Sequence, residues 1–155
     1  MRKPEFVYVT YIETTPEKLW HALTDGDFTE RYWFGVRLKS DWKVGSRFSM
    51  MRDGAENDAG EVIEVDPPRR LSYTFVNLSE KYRGERPARA TFVLEPYGSL
   101  VKLTLTHEGF DEGSKMLPAI SKGWPAILSS LKSILETGRP LEVPYAAMKM
   151  EDASQ

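Results

Sequence analysis

The chain has 155 residues, enough for one domain and one hydrophobic core, with 21 basic and 23 acidic residues and a net charge of -2. That balance supplies no global positive field for a phosphate backbone, so nucleic acid is not an expected partner. With no cysteine there is no disulfide, thiolate metal site or cysteine nucleophile, which points to a cytoplasmic protein. The longest uncharged runs, Leu71 to Ser79 and Gly123 to Leu131, are nine residues each, about half the length of a membrane span. The 18 aromatic residues, 4 Trp, 7 Tyr and 7 Phe, are the unusual quantity, and their placement decides whether they fill a core or line a pocket.

Phe6 to Ile12 (FVYVTYI) is a strand by its β-branched and aromatic content. Thr15 as N-cap, Pro16 at the first helical position and Glu17 in the first turn then start a helix, whose apolar face carries Leu19, Trp20 and Leu23. Asp25, Gly26 and Asp27 interrupt it, and Phe28 to Trp33 forms a second short helix closed by Gly35. His21 is expected at the surface.

From Val36 to Glu108 the pattern is one of strands, near 36–40, 45–52, 60–66, 70–77, 88–96 and 100–108. Short turns separate them, including one from Asp53-Gly54 through Asp58. Strand parity puts Val101, Leu103, Leu105 and His107 on one face of the last strand. It likewise turns Ala90, Phe92 and Leu94, then Leu71, Tyr73 and Phe75, then Phe48 and Met50 toward the core. Ile120, Trp124, Ile127, Leu128, Leu131, Ile134 and Leu135 repeat at threes and fours and mark a long C-terminal helix capped by Gly138. Pro118, Gly123 and Pro125 predict a kink or a separate first turn in its first half. Residues 1–141 are read as one domain and 142–155 as a C-terminal tail.

One amphipathic helix cannot cover seven flat strands, so the expected class is α+β, a curved antiparallel sheet wrapped around the long helix. Such a half-barrel leaves space between sheet and helix. Empty volume costs about 24 cal/mol per Å³, so the space must be filled by side chains, wet, or occupied by a ligand. The proposed wall is Trp33, Phe48, Met50, Tyr73, Phe75, Phe92, His107, Met116, Ile120 and Trp124, rings and thioethers with a few polar tips. His107 either orients a ligand or acts as a general base with Tyr73 or a nearby carboxylate, or it closes its strand structurally. Two histidines and no cysteine support no metal site, and no phosphate-cradling loop, nucleophile elbow or H-E-x-x-H is present, so no cofactor is expected. The stretch Lys81 to Arg89, with four basic residues and one acidic one, either steers an anion or a protein partner or is a solvated loop.

The order of elements resembles the START-like helix-grip (SRPBCC) superfamily. TTPEKLWHALTD (Thr14 to Asp25), GEVIEVDPPRRLSYTF (Gly60 to Phe75), LTLTHEGF (Leu103 to Phe110) and GWPAILSSLKSILETG (Gly123 to Gly138) resemble its branch of Hsp90 ATPase activator homologues. The resemblance covers about Phe6 to Leu141. It implies a helix-grip fold with an apolar cavity used for a small hydrophobic or amphipathic molecule. It also implies two alternatives, a cyclase or hydrolase-type enzyme and a surface-acting partner of an Hsp90-type chaperone. Monomer and homodimer are both open at this stage.

Overall fold

The computed structural model describes residues 4–142, so the expected tail lies outside the described residues apart from its first residue. In chain order the elements are β1 (Glu5–Ile12), α1 (Pro16–Thr24), α2 (Gly26–Tyr32), β2 (Arg37–Ser40), β3 (Arg47–Arg52), β4 (Ala55–Asp66) and β5 (Arg70–Asn77). A single 3-10 turn, Glu80–Tyr82, follows, and then β6 (Ala88–Tyr97), β7 (Leu100–Glu108) and α3 (Met116–Thr137). The seven strands form one antiparallel curved sheet in the order β1-β7-β6-β5-β4-β3-β2, with α3 packed across its concave face: the α+β helix-grip arrangement.

Local chemistry sets the helix starts. The Thr15 side chain accepts a hydrogen bond from the Lys18 N–H at 3.2 Å, and Pro16 opens α1. The Asp25 carboxylate accepts from the Asp27 N–H at 2.9 Å, so α2 begins at Gly26, two residues earlier than expected. His21 is exposed and pairs with Asp25 at 3.0 Å. At the far end Gly138 is left-handed (φ 82°), and its N–H donates to the Ile134 carbonyl at 2.9 Å.

Two sequence expectations need correction. The turn expected from Asp53 through Asp58 uses only Asp53 and Gly54, both at positive φ (52° and 78°), and β4 already starts at Ala55. A two-residue turn with both residues left-handed matches the twist of the strands it joins, and Asp-Gly is a favoured pair for it. The polar residues Glu56, Asn57 and Asp58 therefore belong to the sheet. Of the kink or separate first turn expected in the first half of α3, the separate turn is absent: Met116–Thr137 is one helix. Pro118 lies in the first turn, where its missing N–H loses nothing, and the one interior proline is Pro125.

The parity reading of the sheet describes the core well. Val101, Leu103, Leu105 and His107 of β7, Ala90, Phe92 and Leu94 of β6 and Leu71, Tyr73 and Phe75 of β5 are all buried. Opposite them Trp124, Leu128, Leu131 and Ile134 of α3 complete the core. The second half of α3 is clipped to β1 by Lys132, whose Nζ donates to the Tyr11 carbonyl at 2.6 Å. Beside it the Glu136 carboxylate accepts from the Glu13 N–H at 2.8 Å. No helix among the described residues is long and apolar enough to cross a membrane.

Candidate functional site

Between the first half of α3 and the β3–β4–β5 end of the sheet lies a cavity of about 580 Å³. Its apolar wall is built by Trp33, Met50, Phe75, Met116, Ile120 and Trp124, six of the ten residues proposed from sequence. Phe48, Tyr73, Phe92 and His107 do not line it. They form a layer behind the wall, with Phe48 stacked on Tyr73 (ring centroids 3.9 Å apart) and Tyr73 against Phe92 (5.7 Å). Trp124 joins wall and layer, meeting Phe92 edge-on at 5.7 Å and Trp33 at 5.3 Å.

His107 is fully buried among Phe75, Phe110 and Trp124, and its Nδ1 accepts a hydrogen bond from the Trp124 indole N–H at 3.0 Å. The acceptor role leaves the ring proton on Nε2, a buried atom without a partner in hydrogen-bond geometry. Burial lowers the pKa to about 3, outweighing a smaller upward pull from the Ala88 backbone, so the ring is neutral at pH 7. Burial also raises the Tyr73 phenol well above 10. The geometry thus gives His107 the work of seating Trp124.

The cavity also has a polar end that the sequence reading did not include. Asp58 on β4 pairs in register with Met50 on β3 and with Asn77 on β5, so the three side chains form a row across the concave face. Asn77 lies two residues beyond Phe75 on the same strand, so strand parity was the available signal for it. Asp58 was hidden by the assumption of a long turn and by the β-bulge at Met50/Met51. Asp58, Asn77 and Tyr82 line the cavity with Lys122 of α3. Asn77 Nδ2 donates to Asp58 Oδ1 at 3.3 Å, while Asn77 Oδ1 accepts from the Ser79 N–H at 3.0 Å.

Burial raises the Asp58 carboxyl to about 6, against the Asn77 hydrogen bond and the nearby Arg52 charge, which both lower it. The folded state therefore holds this proton more tightly than the unfolded chain. Its stabilising contribution is complete below the ordinary value of 3.8 and is lost as pH rises through 6, a change of about 3 kcal/mol. His107 has the opposite sign: stability is lost as pH falls from 6.5 toward 3. Between about pH 5 and 6 the two slopes oppose each other, and urea unfolding of the wild type should give a nearly constant stability there. Asp58→Asn should uncover the His107 slope, about 1 kcal/mol per pH unit, and should be more stable than the wild type at pH 8 by about 3 kcal/mol. Parallel curves for the two proteins would refute the raised carboxyl.

The basic stretch after β5 is largely engaged: Arg83 pairs with Glu80, Arg86 with Asp111 and Arg89 with Glu64. A second recess, of about 900 Å³ beside α2 and β2, has a polar lining in which Arg37 bonds Glu30, as well as Asp27 nearby, and His21 pairs with Asp25. Among the described residues no cluster of three or more His, Asp or Glu side chains could hold a metal ion.

Several solved structures are similar to this chain. Protein MLL2253 from Mesorhizobium loti is 28% identical, with a TM-score of 0.73 over 84% of this chain and 96% of that one. CalU16 from Micromonospora echinospora is 23% identical (TM-score 0.72, 97% and 84% covered), and the HSP90 activator PFC0360w from Plasmodium falciparum is 24% identical (TM-score 0.71, 84% and 95% covered). A search of curated proteins gives no match. The sequence profile described as activator of Hsp90 ATPase homolog 1-like protein matches residues 13–136, from the end of β1 almost to the end of α3, and the chain belongs to that family.

Proposed function

We propose that the protein binds a small hydrophobic or amphipathic molecule in the cavity between the sheet and the first half of α3. One observation carries the reading: an apolar wall of about 580 Å³ holding three aromatic rings ends in a half-buried carboxylate and an amide. Few polar groups in a mostly apolar recess of a few hundred Å³ is the composition of small-molecule sites. Neither His107 nor Tyr73 lines the cavity, so the reading assigns neither a catalytic role.

A thermal-shift screen with fatty acids, bicyclic aromatics and steroids tests it. At a hundredfold excess over its dissociation constant a ligand should add about 2.7 kcal/mol, which raises the Tm of a domain this size by about 8 °C. Ile120→Trp, which pushes a larger ring into the cavity from α3, should fold and lose that shift. An unchanged shift in this variant would put the ligand elsewhere, and no shift with any class would refute the reading.

A second reading rests on family membership and on the likeness to the Plasmodium HSP90 activator: stimulation of an Hsp90-type ATPase through the outer surface. Steady-state ATPase rates of an Hsp90 with and without this protein decide it. The similar Aha1 from Colwellia psychrerythraea is described as a dimer (22% identical), so sedimentation at the assay concentration belongs with that experiment.

A further inference from the structure

The polar end of the cavity has an unused hydrogen-bonding capacity of a definite kind. Asn77 is fixed in orientation, because its Oδ1 is held by the Ser79 N–H, and one N–H of its Nδ2 reaches Asp58 Oδ1. The second N–H of Nδ2 and the second oxygen of Asp58 have no partner among the described residues. A donor and an acceptor are thus open side by side at the end of an otherwise apolar recess, and leaving such groups unmatched when a ligand displaces water is costly.

Charge narrows what fits. A cationic ligand is drawn to Asp58 but repelled by Lys122, and an anionic one the reverse, so the two charges that line the cavity offset each other and favour neither sign. A neutral hydroxyl suits both open groups at once, since it donates one hydrogen bond and accepts another. The wall includes a cluster of three rings, Trp33, Phe75 and Trp124, whose faces and edges favour flat, aromatic skeletons.

Resting on the cavity reading above, we infer that Asp58 and Asn77 are specificity-determining residues that select a neutral aromatic ligand bearing a hydroxyl, whose O–H donates to Asp58 and whose oxygen accepts from Asn77. Hydrogen bonds with one ionised partner are the strong class, so the hydroxyl should favour binding by about tenfold over a methyl group of the same size.

The matched probes are 2-naphthol and 2-methylnaphthalene, titrated against the full chain at pH 7.5 while the Trp124 indole N–H resonance is followed by NMR. The wild type should prefer 2-naphthol by about tenfold. Asp58→Leu should bind 2-methylnaphthalene at least as well as the wild type and lose the preference for the hydroxyl; Asn77→Leu should lose part of it. Asp58→Asn, which changes the charge with little change of shape, provides the same comparison if the leucine variant does not fold. Equal affinities in the wild type overturn the assignment and leave the cavity reading standing. A preference that survives in Asp58→Leu and Asp58→Asn overturns it as well. If neither probe binds the wild type, this inference falls, and the thermal-shift screen with fatty acids and steroids decides the cavity reading separately.

Discussion

Trp124→Ala should lower the stability of the fold by about 5 kcal/mol, a large part of what a domain of this size possesses. Two losses combine. The indole is 2% exposed and contacts Trp33, Phe75, Phe92 and His107, so its removal leaves a void on the scale that costs about 3–5 kcal/mol. It also deprives the buried Nδ1 of His107 of its donor, worth about 1–3 kcal/mol, and the two overlap because they share one site. Trp124→Phe separates them: it keeps most of the packing and should cost about 2 kcal/mol, chiefly the orphaned nitrogen. Urea unfolding of both variants at pH 7.5 gives the two numbers, and a phenylalanine variant as stable as the wild type would show that the Trp124–His107 bond contributes nothing.

Gly60→Ala is the other severe change, expected to cost about 4 kcal/mol or to prevent folding, by a cause unrelated to packing volume. A Cβ on Gly60 would stand 1.7 Å from the Thr74 carbonyl oxygen and 2.8 Å from the Phe75 Cα, backbone atoms of the neighbouring strand that cannot rotate away. The residue lies in β4 opposite Phe48, where the strand passes almost onto β5. To admit a methyl group the two strands must part, and the position of Phe75 on the cavity wall would shift with them. Ala59→Gly, one residue earlier, is the control, costing about 1–2 kcal/mol through chain entropy and the loss of one buried methyl group. A midpoint of denaturation for Gly60→Ala within the range of that control would mean that the strands do not approach so closely.

The face of each strand was legible in the sequence, and the depth of each ring was not. Alternation in LVKLTLTHE places Val101, Leu103, Leu105 and His107 together without any structure, because side chains must alternate along a pleat. Yet Tyr73 and Phe75 share a face, two residues apart, and only Phe75 reaches the cavity; Phe48 and Met50 divide in the same manner. What separates them is where α3 crosses the sheet, a tertiary quantity that no local pattern carries. The bond between Trp124 and His107 escaped for the same reason, since it joins two elements whose relative placement no local pattern carries. Asp58 escaped for a local one. The run from Asp53 through Asp58, with Glu56, Asn57 and Asp58 in succession, reads as a turn, until a two-residue connection proves sufficient and a bulge resets the alternation.

Pro125 gives the cavity wall a mechanical character. A proline inside a helix has no N–H, so the carbonyl four residues earlier, that of Ser121, receives no helical hydrogen bond. The missing rung falls within the stretch of α3 that faces the cavity, from Met116 to Ser129. Lys132 and Glu136 clip the far half of the helix to Tyr11 and Glu13 at the end of the first strand. The helix is therefore one rung short where it faces the recess, while the sheet opposite keeps every strand paired.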